Sequence, residues 1–182
     1  LNSLVAKRAL ARARPLFNKN AKPEDEAFEM EPDALSDELF YVGVHVRRGI
    51  DIVMNERNRR HGHVAATADY YRRAMQMAKG DHENVVFVIC SDNPSWVVNH
   101  LPAQEKGTLF SCPGKHREVD MAIMTLCDAL VLSTGTFSWW SGFLNLKAKE
   151  IIYYDEWPSA GSALAKMVNK SEFFLSSWTP VS

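Results

Sequence analysis

Short apolar runs of strand length recur between residues 40 and 154, with helical segments between them. The runs are "FYVGVHV" (40–46), "NVVFVIC" (84–90), "GTLFS" (107–111), "ALVLS" (129–133) and "EIIYY" (150–154). The intervening segments are "ADYYRRAMQMAK" (68–79), "SWVVNHL" (95–101), "REVDMAIMTLCDA" (117–129) and "FSWWSGFLNLKAK" (137–149). In the first of these, Tyr71, Met75 and Ala78 share one helical face. Pro94 suits a first helical turn. Several of the strands are apolar throughout rather than alternating, so both of their faces are buried. Alternation of such strands with helices predicts a doubly wound α/β domain with a parallel sheet covered on both sides.

The chain upstream of Phe40 has a different character. "SLVAKRALARAR" (3–14) reads as a basic helix stopped by Pro15, and "KPEDEAFEMEPDALSDEL" (22–39) as an acidic, proline-punctuated linker. The expected organisation is therefore residues 1–39 as the remnant of a preceding domain plus linker, then residues 40–182 as the ligand-binding domain. A start at Leu1 rather than Met fits a fragment of a longer protein.

A net charge of −1 gives the whole chain no reason to seek nucleic acid or an anionic membrane, so anion binding must come from local placement of charge. No run of about 18 apolar residues is present to span a bilayer. The three cysteines, Cys90, Cys112 and Cys127, cannot all pair with one another, and no Cys/His cluster has zinc spacing. Asn169-Lys170-Ser171 is a glycosylation sequon, usable in a secretory compartment.

Ligands of open α/β sheets bind at the carboxyl ends of the strands. Three polar clusters fall there: "RRGID" after the first strand, "SDN" after the second, and "STGTFS" after the fourth. Arg47 and Arg48 point to opposite sides of their strand, so one can meet a ligand while the other braces the loop or meets solvent. A guanidinium binds phosphate oxygens bidentately and stays charged, and Gly49 permits a close backbone turn. His45 shares a side with Arg47, and it suits either a core position or the same site. Asp92 can accept two N–H bonds from a guanine edge, at about 1.5–3 kcal/mol for bonds to a charged group, or cap the helix that follows. Thr136 and Ser138, at a helix start with free backbone N–H groups, form a phosphate seat. Ser133, Thr134 and Thr136 serve equally as N-caps. Phe137, Trp139 and Trp140 read as core anchors. Asp120 suits the first turn of its helix, or a buried pair with an arginine.

No GxGxxG follows a strand, so a nicotinamide or flavin site is disfavoured. There is no P-loop and no GxSxG elbow. No DxD pair stands at a strand end to hold a metal–diphosphate complex. Phosphate charge is left to arginine and the helix dipole, with no cofactor and no metal.

Together, "GVHVRRG", "FVICSDNPSW", "EVDMAIMTLCDALVLSTGTFSWWSGFL" and "IIYYDEW" resemble the α-1,2-fucosyltransferase family, also called galactoside 2-alpha-L-fucosyltransferases or glycosyltransferase family 11. The resemblance covers most of residues 40–157. It implies a two-domain GT-B-type glycosyltransferase, of which this chain is the carboxyl-terminal half binding GDP-fucose. The partners it implies are the GDP-fucose donor and a galactose-terminated glycan acceptor. It also implies a lumenal setting at the Golgi membrane, attached through an amino-terminal anchor outside this chain. The diphosphate falls to Arg47, supported by Arg48. The guanine falls to His45 and Asp92, and the phosphates to Thr136, Phe137 and Ser138. The family's HxRRGD is interrupted here by Ile50, so the acid is Asp51, the one candidate general base on this chain. The family's "NSTFSWW" reads "TGTFSWW". Two further readings share this chemistry: a different GDP-fucose enzyme (α-1,6 or protein O-linked), and a nucleotide-sugar-binding fragment or pseudoenzyme without transfer activity.

Overall fold

The computed structural model describes residues 39–101, 109–112 and 116–182. The expected helix at 3–14, the linker at 22–38 and the start of the strand at 107–108 lie outside the described residues. Among the described residues, six strands form one sheet: β1 (Phe40–Val46), β2 (Val85–Ser91), β3 (Leu109–Ser111), β4 (Ala129–Val131), β5 (Glu150–Tyr154) and β6 (Thr179–Val181). Their order is β3-β2-β1-β4-β5-β6 and every pairing is parallel. This is the strand order of dinucleotide-binding folds, with its topological switch point between β1 and β4.

The connections are α1 (Ile50–Val53), α2 (Glu56–His61), α3 (Ala68–Lys79), α4 (Pro94–His100), α5 (Arg117–Met124), α6 (Thr136–Leu144), α7 (Ala163–Met167) and α8 (Lys170–Phe173). Val42, Val44 and Val46 are wholly buried on one side of β1. Gly43 faces the other side. A Cβ there would come within 2.8 Å of Leu130 and 3.1 Å of Met124 Sδ, so the missing side chain admits the end of α5. α3 packs on β1, β4 and β5, and α5 on β1 and β2. The doubly wound α/β architecture is thus present, as the unbroken apolar strands predict.

The helices at 117–129 and 137–149 are shorter than their apolar patterns, and Asn145 explains both ends. Its buried amide donates to the carbonyls of Met124 (3.2 Å) and Cys127 (2.9 Å), satisfying groups freed where α5 stops. Its Oδ1 accepts from the N–H groups of Lys147 and Ala148, which turns the chain out of α6. The tryptophans also divide. Trp139 is half-buried and donates through its indole N–H to the Phe173 carbonyl at 2.6 Å, whereas Trp140 is 46% exposed rather than core. The buried indoles are Trp157 and Trp178. Among the described residues, no helix is long and apolar enough to cross a membrane.

Candidate functional site at the carboxyl end of the sheet

β1 ends at the switch point, where the neighbouring connections diverge to opposite faces and leave a crevice. His45, the penultimate strand residue, is 6% exposed. Its Nδ1 lies 2.5 Å from the Ser138 hydroxyl oxygen on α6, and its ring tilts against Phe137 with centroids 4.6 Å apart. The same hydroxyl oxygen accepts from the Ser133 backbone N–H at 2.9 Å. Ser133 Oγ in turn accepts from the backbone N–H of Arg47 (3.1 Å) and from the Tyr71 hydroxyl (2.8 Å). One hydrogen-bonded network therefore ties β1, α3, the end of β4 and α6. Burial, reinforced by the charge of Arg47, lowers the His45 pKa to about 3, so the ring is neutral at physiological pH. Burial raises the Tyr71 phenol, which stays an O–H donor.

The two arginines part as strand alternation requires. Arg48 turns inward: its guanidinium lies 4.0 Å from the centroid of the Trp96 ring and donates to the Ala66 carbonyl at 3.0 Å. Its buried Nε has no hydrogen-bond partner among the described residues. Arg47 stays at the mouth, with 30% of its side chain exposed. Its guanidinium is forked between Asp51, at 2.5 Å, and Asp92. Asp92 also accepts from the Arg48 backbone N–H at 2.6 Å. Helix capping is not its task, because Asn93 caps α4 through the Trp96 N–H. Ile50 is 76% exposed, and the first turn of α1 brings Asp51 back onto Arg47 across the inserted residue. Gly49 makes this convergence possible. A Cβ there would lie 2.6 Å from Asp51 Oδ1 and 2.8 Å from Asp92 Oδ2.

Arg47, Arg48, Gly49, Asp51, Asp92 and Asn93 line an open cavity of about 950 Å³. The formal charges of its two arginines and two aspartates cancel. Beside it, α6 begins after Gly135 with no side-chain cap. Thr136 stands exposed at its first position and Phe137 half-buried against His45. The Ser138 hydroxyl, expected at the phosphates, is instead bonded to His45 and Ser133. Thr134, just before the helix, has a buried Oγ1 without a partner among the described residues. A partly exposed guanidinium near an uncapped helix N-terminus is chemically suited to an anion. Two contributors escaped the sequence pattern: Tyr71, which reads simply as a core face, and Trp96, whose ring supports Arg48.

Cys90 and Cys112 form a disulfide with Cα atoms 4.8 Å apart, joining the ends of β2 and β3, while Cys127 is a buried free thiol with its pKa pushed up to about 12. Asp120, buried in the first turn of α5, lies beside the disulfide, where the sulfurs are bonded to each other rather than available as thiolate ligands. Asn169 is exposed; its Oδ1 caps α8 and accepts from the Ser171 hydroxyl at 2.8 Å.

Residues 26–181 match the family model described as glycosyl transferase family 11. The chain is 30% identical over 143 residues to galactoside alpha-(1,2)-fucosyltransferase 1 of Saimiri boliviensis boliviensis, and 29% over 143 residues to that of Leontocebus fuscicollis. Each alignment covers 78% of this chain and 38% of the relative, so the chain spans under two-fifths of the length of these relatives. Among solved structures, fucosyltransferase NodZ from Bradyrhizobium superposes with a TM-score of 0.46 at 16% identity, covering 84% of this chain and 44% of that one. NodZ alpha-1,6-fucosyltransferase co-crystallized with GDP gives 0.44 at 17% identity, covering 85% and 44%.

Proposed function

The chain belongs to glycosyl transferase family 11, and from that membership we propose that it is the donor-binding half of an enzyme moving L-fucose from GDP-β-L-fucose to the 2-hydroxyl of a galactoside. The observation that carries the proposal is the position of Arg47. Its guanidinium stands at the switch-point mouth, its backbone N–H is held by Ser133 just past β4, and the uncapped start of α6 follows three residues later in the same loop.

The donor is β-linked and the product α-linked, so one in-line displacement inverts the sugar carbon. The galactose O2–C1 bond forms as the bond from C1 to the β-phosphate oxygen breaks, and GDP leaves with the electron pair. Negative charge grows on the departing phosphate. Arg47 and the N–H groups at Thr136 and Phe137 stabilise that charge, which lowers the barrier by preorganised electrostatics.

Binding requires an exchange at Arg47, whose fork is occupied by carboxylates. Asp92 is fixed by the Arg48 N–H as well, and its side chain is 31% exposed against 52% for Asp51. The phosphate therefore displaces Asp51. The released carboxylate is then free to take the proton of the acceptor hydroxyl. Arg48 braces the loop from the Trp96 side. His45, tied through Nδ1 to Ser138, leaves Nε2 for the donor's guanine, and Asp92 forms the adjoining edge. The chemistry is carried by these side chains without a metal or cofactor.

The disulfide supports a lumenal, oxidising setting; placement at the Golgi membrane, through an amino-terminal anchor outside this chain, is proposed from the family membership alone. The test is transfer from GDP-fucose to β-galactosides by the full-length parent, with N-glycan core and folded protein domains as competing acceptors. The expected product carries fucose α-linked at O2. Arg47→Ala lowers kcat by on the order of 10²–10³, as for loss of one oxyanion donor. An unchanged kcat, or transfer only to another acceptor class, refutes the assignment.

A further inference from the structure

α1 and α2 carry a second cavity, of about 510 Å³, that shares no lining residue with the Arg47 mouth. Its apolar lining includes Ile52, Val53 and Val64, and its polar lining Arg59, Arg60 and His63. The volume lies in the range of small-ligand pockets. Glu56 also lines it, paired with Arg60. Arg59 has no ion pair or side-chain hydrogen bond among the described residues, and neither has Arg57 on the same helix. Burial, with His61 alongside and Asp51 opposing, lowers the His63 pKa, which leaves it a neutral donor.

A helix dipole favours cations in a last turn, which accounts for arginine in this stretch of α2. It does not account for a guanidinium that is unpaired among the described residues and lines a cavity together with Ile52, Val53 and Val64. That combination matches a sugar ring bearing an anion: the C–H face lies on aliphatic carbon, and the planar fork takes a pair of oxygens. The donor's own phosphates are assigned to the other flank of α1. The anion therefore belongs to the other substrate.

We infer that this cavity is an acceptor subsite for an anionic sugar substituent, a sulfate or a carboxylate, gripped by Arg59. The inference rests on the acceptor being a glycan, as proposed above.

The experiment titrates the chain with galactose 6-sulfate, galacturonate and galactose, each in wild type and in Arg59→Ala. GDP binding serves as the control for an intact fold. At least one of the two anionic sugars binds ten-fold or more tighter than galactose, the advantage shrinks with added salt, and Arg59→Ala removes it while GDP binding is unchanged. Preference for the sulfate identifies a sulfated acceptor, and preference for galacturonate a carboxylated one. Arg59→Lys, which keeps charge without the fork, retains only part of the advantage. Equal binding of all three sugars overturns the inference, as does an anion advantage that survives Arg59→Ala. GDP binding with no anion preference sinks this inference alone. Anion preference without GDP binding sinks the donor assignment and leaves this site standing.

Discussion

The imidazole of His45 and the hydroxyl of Ser138 meet at 2.5 Å across 93 residues of chain, and this bond closes the switch point between β1 and α6. It joins the two loops that converge on the proposed diphosphate. Ser138→Ala leaves the His45 ring nitrogen and the Ser133 N–H without their partner. It costs about 1–3 kcal/mol, the usual penalty for unsatisfied buried polar groups, measurable as a fall in the urea midpoint.

The same histidine gives stability a pH dependence. Its folded pKa, about 3, lies below the ordinary 6.5. The unfolded chain therefore takes up a proton below pH 6.5 that the folded chain refuses until about pH 3. Stability is full above 6.5 and falls as pH drops through that window. His63, lowered in the same direction, adds to the slope. His45→Asn flattens the loss between about pH 7 and 5.5, a range above that in which unperturbed carboxylates titrate. Parallel slopes for variant and wild type contradict a buried neutral His45.

Asp51 occupies the Arg47 guanidinium, so in the proposed exchange its removal separates binding from turnover. Asp51→Asn removes one negative charge beside the guanidinium. GDP binds several-fold tighter, while transfer by the full-length parent slows because the proposed base is gone. Titration of GDP and steady-state kinetics check the two halves. Weaker GDP binding in the variant rules out the exchange at Arg47.

The disulfide and the third cysteine behave differently toward reagents. Cys90 and Cys112 are 22 residues apart, and closing such a loop stabilises by roughly 3 kcal/mol in the chain-entropy account. Reduction lowers the thermal midpoint accordingly and exposes two thiols to alkylation. Cys127, buried with a pKa of about 12, stays unlabelled until the chain unfolds. Labelling of Cys127 in the native oxidised protein runs against its placement beneath β1.

Asn169 is exposed and already bonded to the Ser171 hydroxyl. Expression through a secretory pathway attaches a glycan there, read as a mass shift that an N-glycosidase removes and Asn169→Gln abolishes. An unmodified Asn169 in such cells tells against the lumenal setting.

Much of the fold was legible because unbroken apolar strands such as "VVFVIC" bury on two faces in only one common architecture. The strand-end position of Arg47 and Arg48 and their divergence follow from the same alternation. Other features depend on contacts that period and propensity do not encode. Asn145 ends two helices through bonds reaching back 18 and 21 residues. β6 is three residues long and carries Pro180, which an edge position tolerates, so no strand pattern marks it. Trp140 lies on a strongly apolar helix yet faces outward, because Trp139 takes the contact with Trp178. Asp51 stands beyond an inserted residue, and only the turn of α1 returns it to Arg47.

The central claim is that Arg47 holds the diphosphate of a guanine nucleotide. Calorimetric titration of this chain with GDP, with ADP as control and Arg47→Ala as comparison, tests it directly. The account predicts binding of GDP and not ADP, lost in the variant. A GDP concentration 100-fold over Kd should stabilise the wild type by about 2.7 kcal/mol. GDP binding of equal strength in Arg47→Ala, with the fold intact, contradicts it.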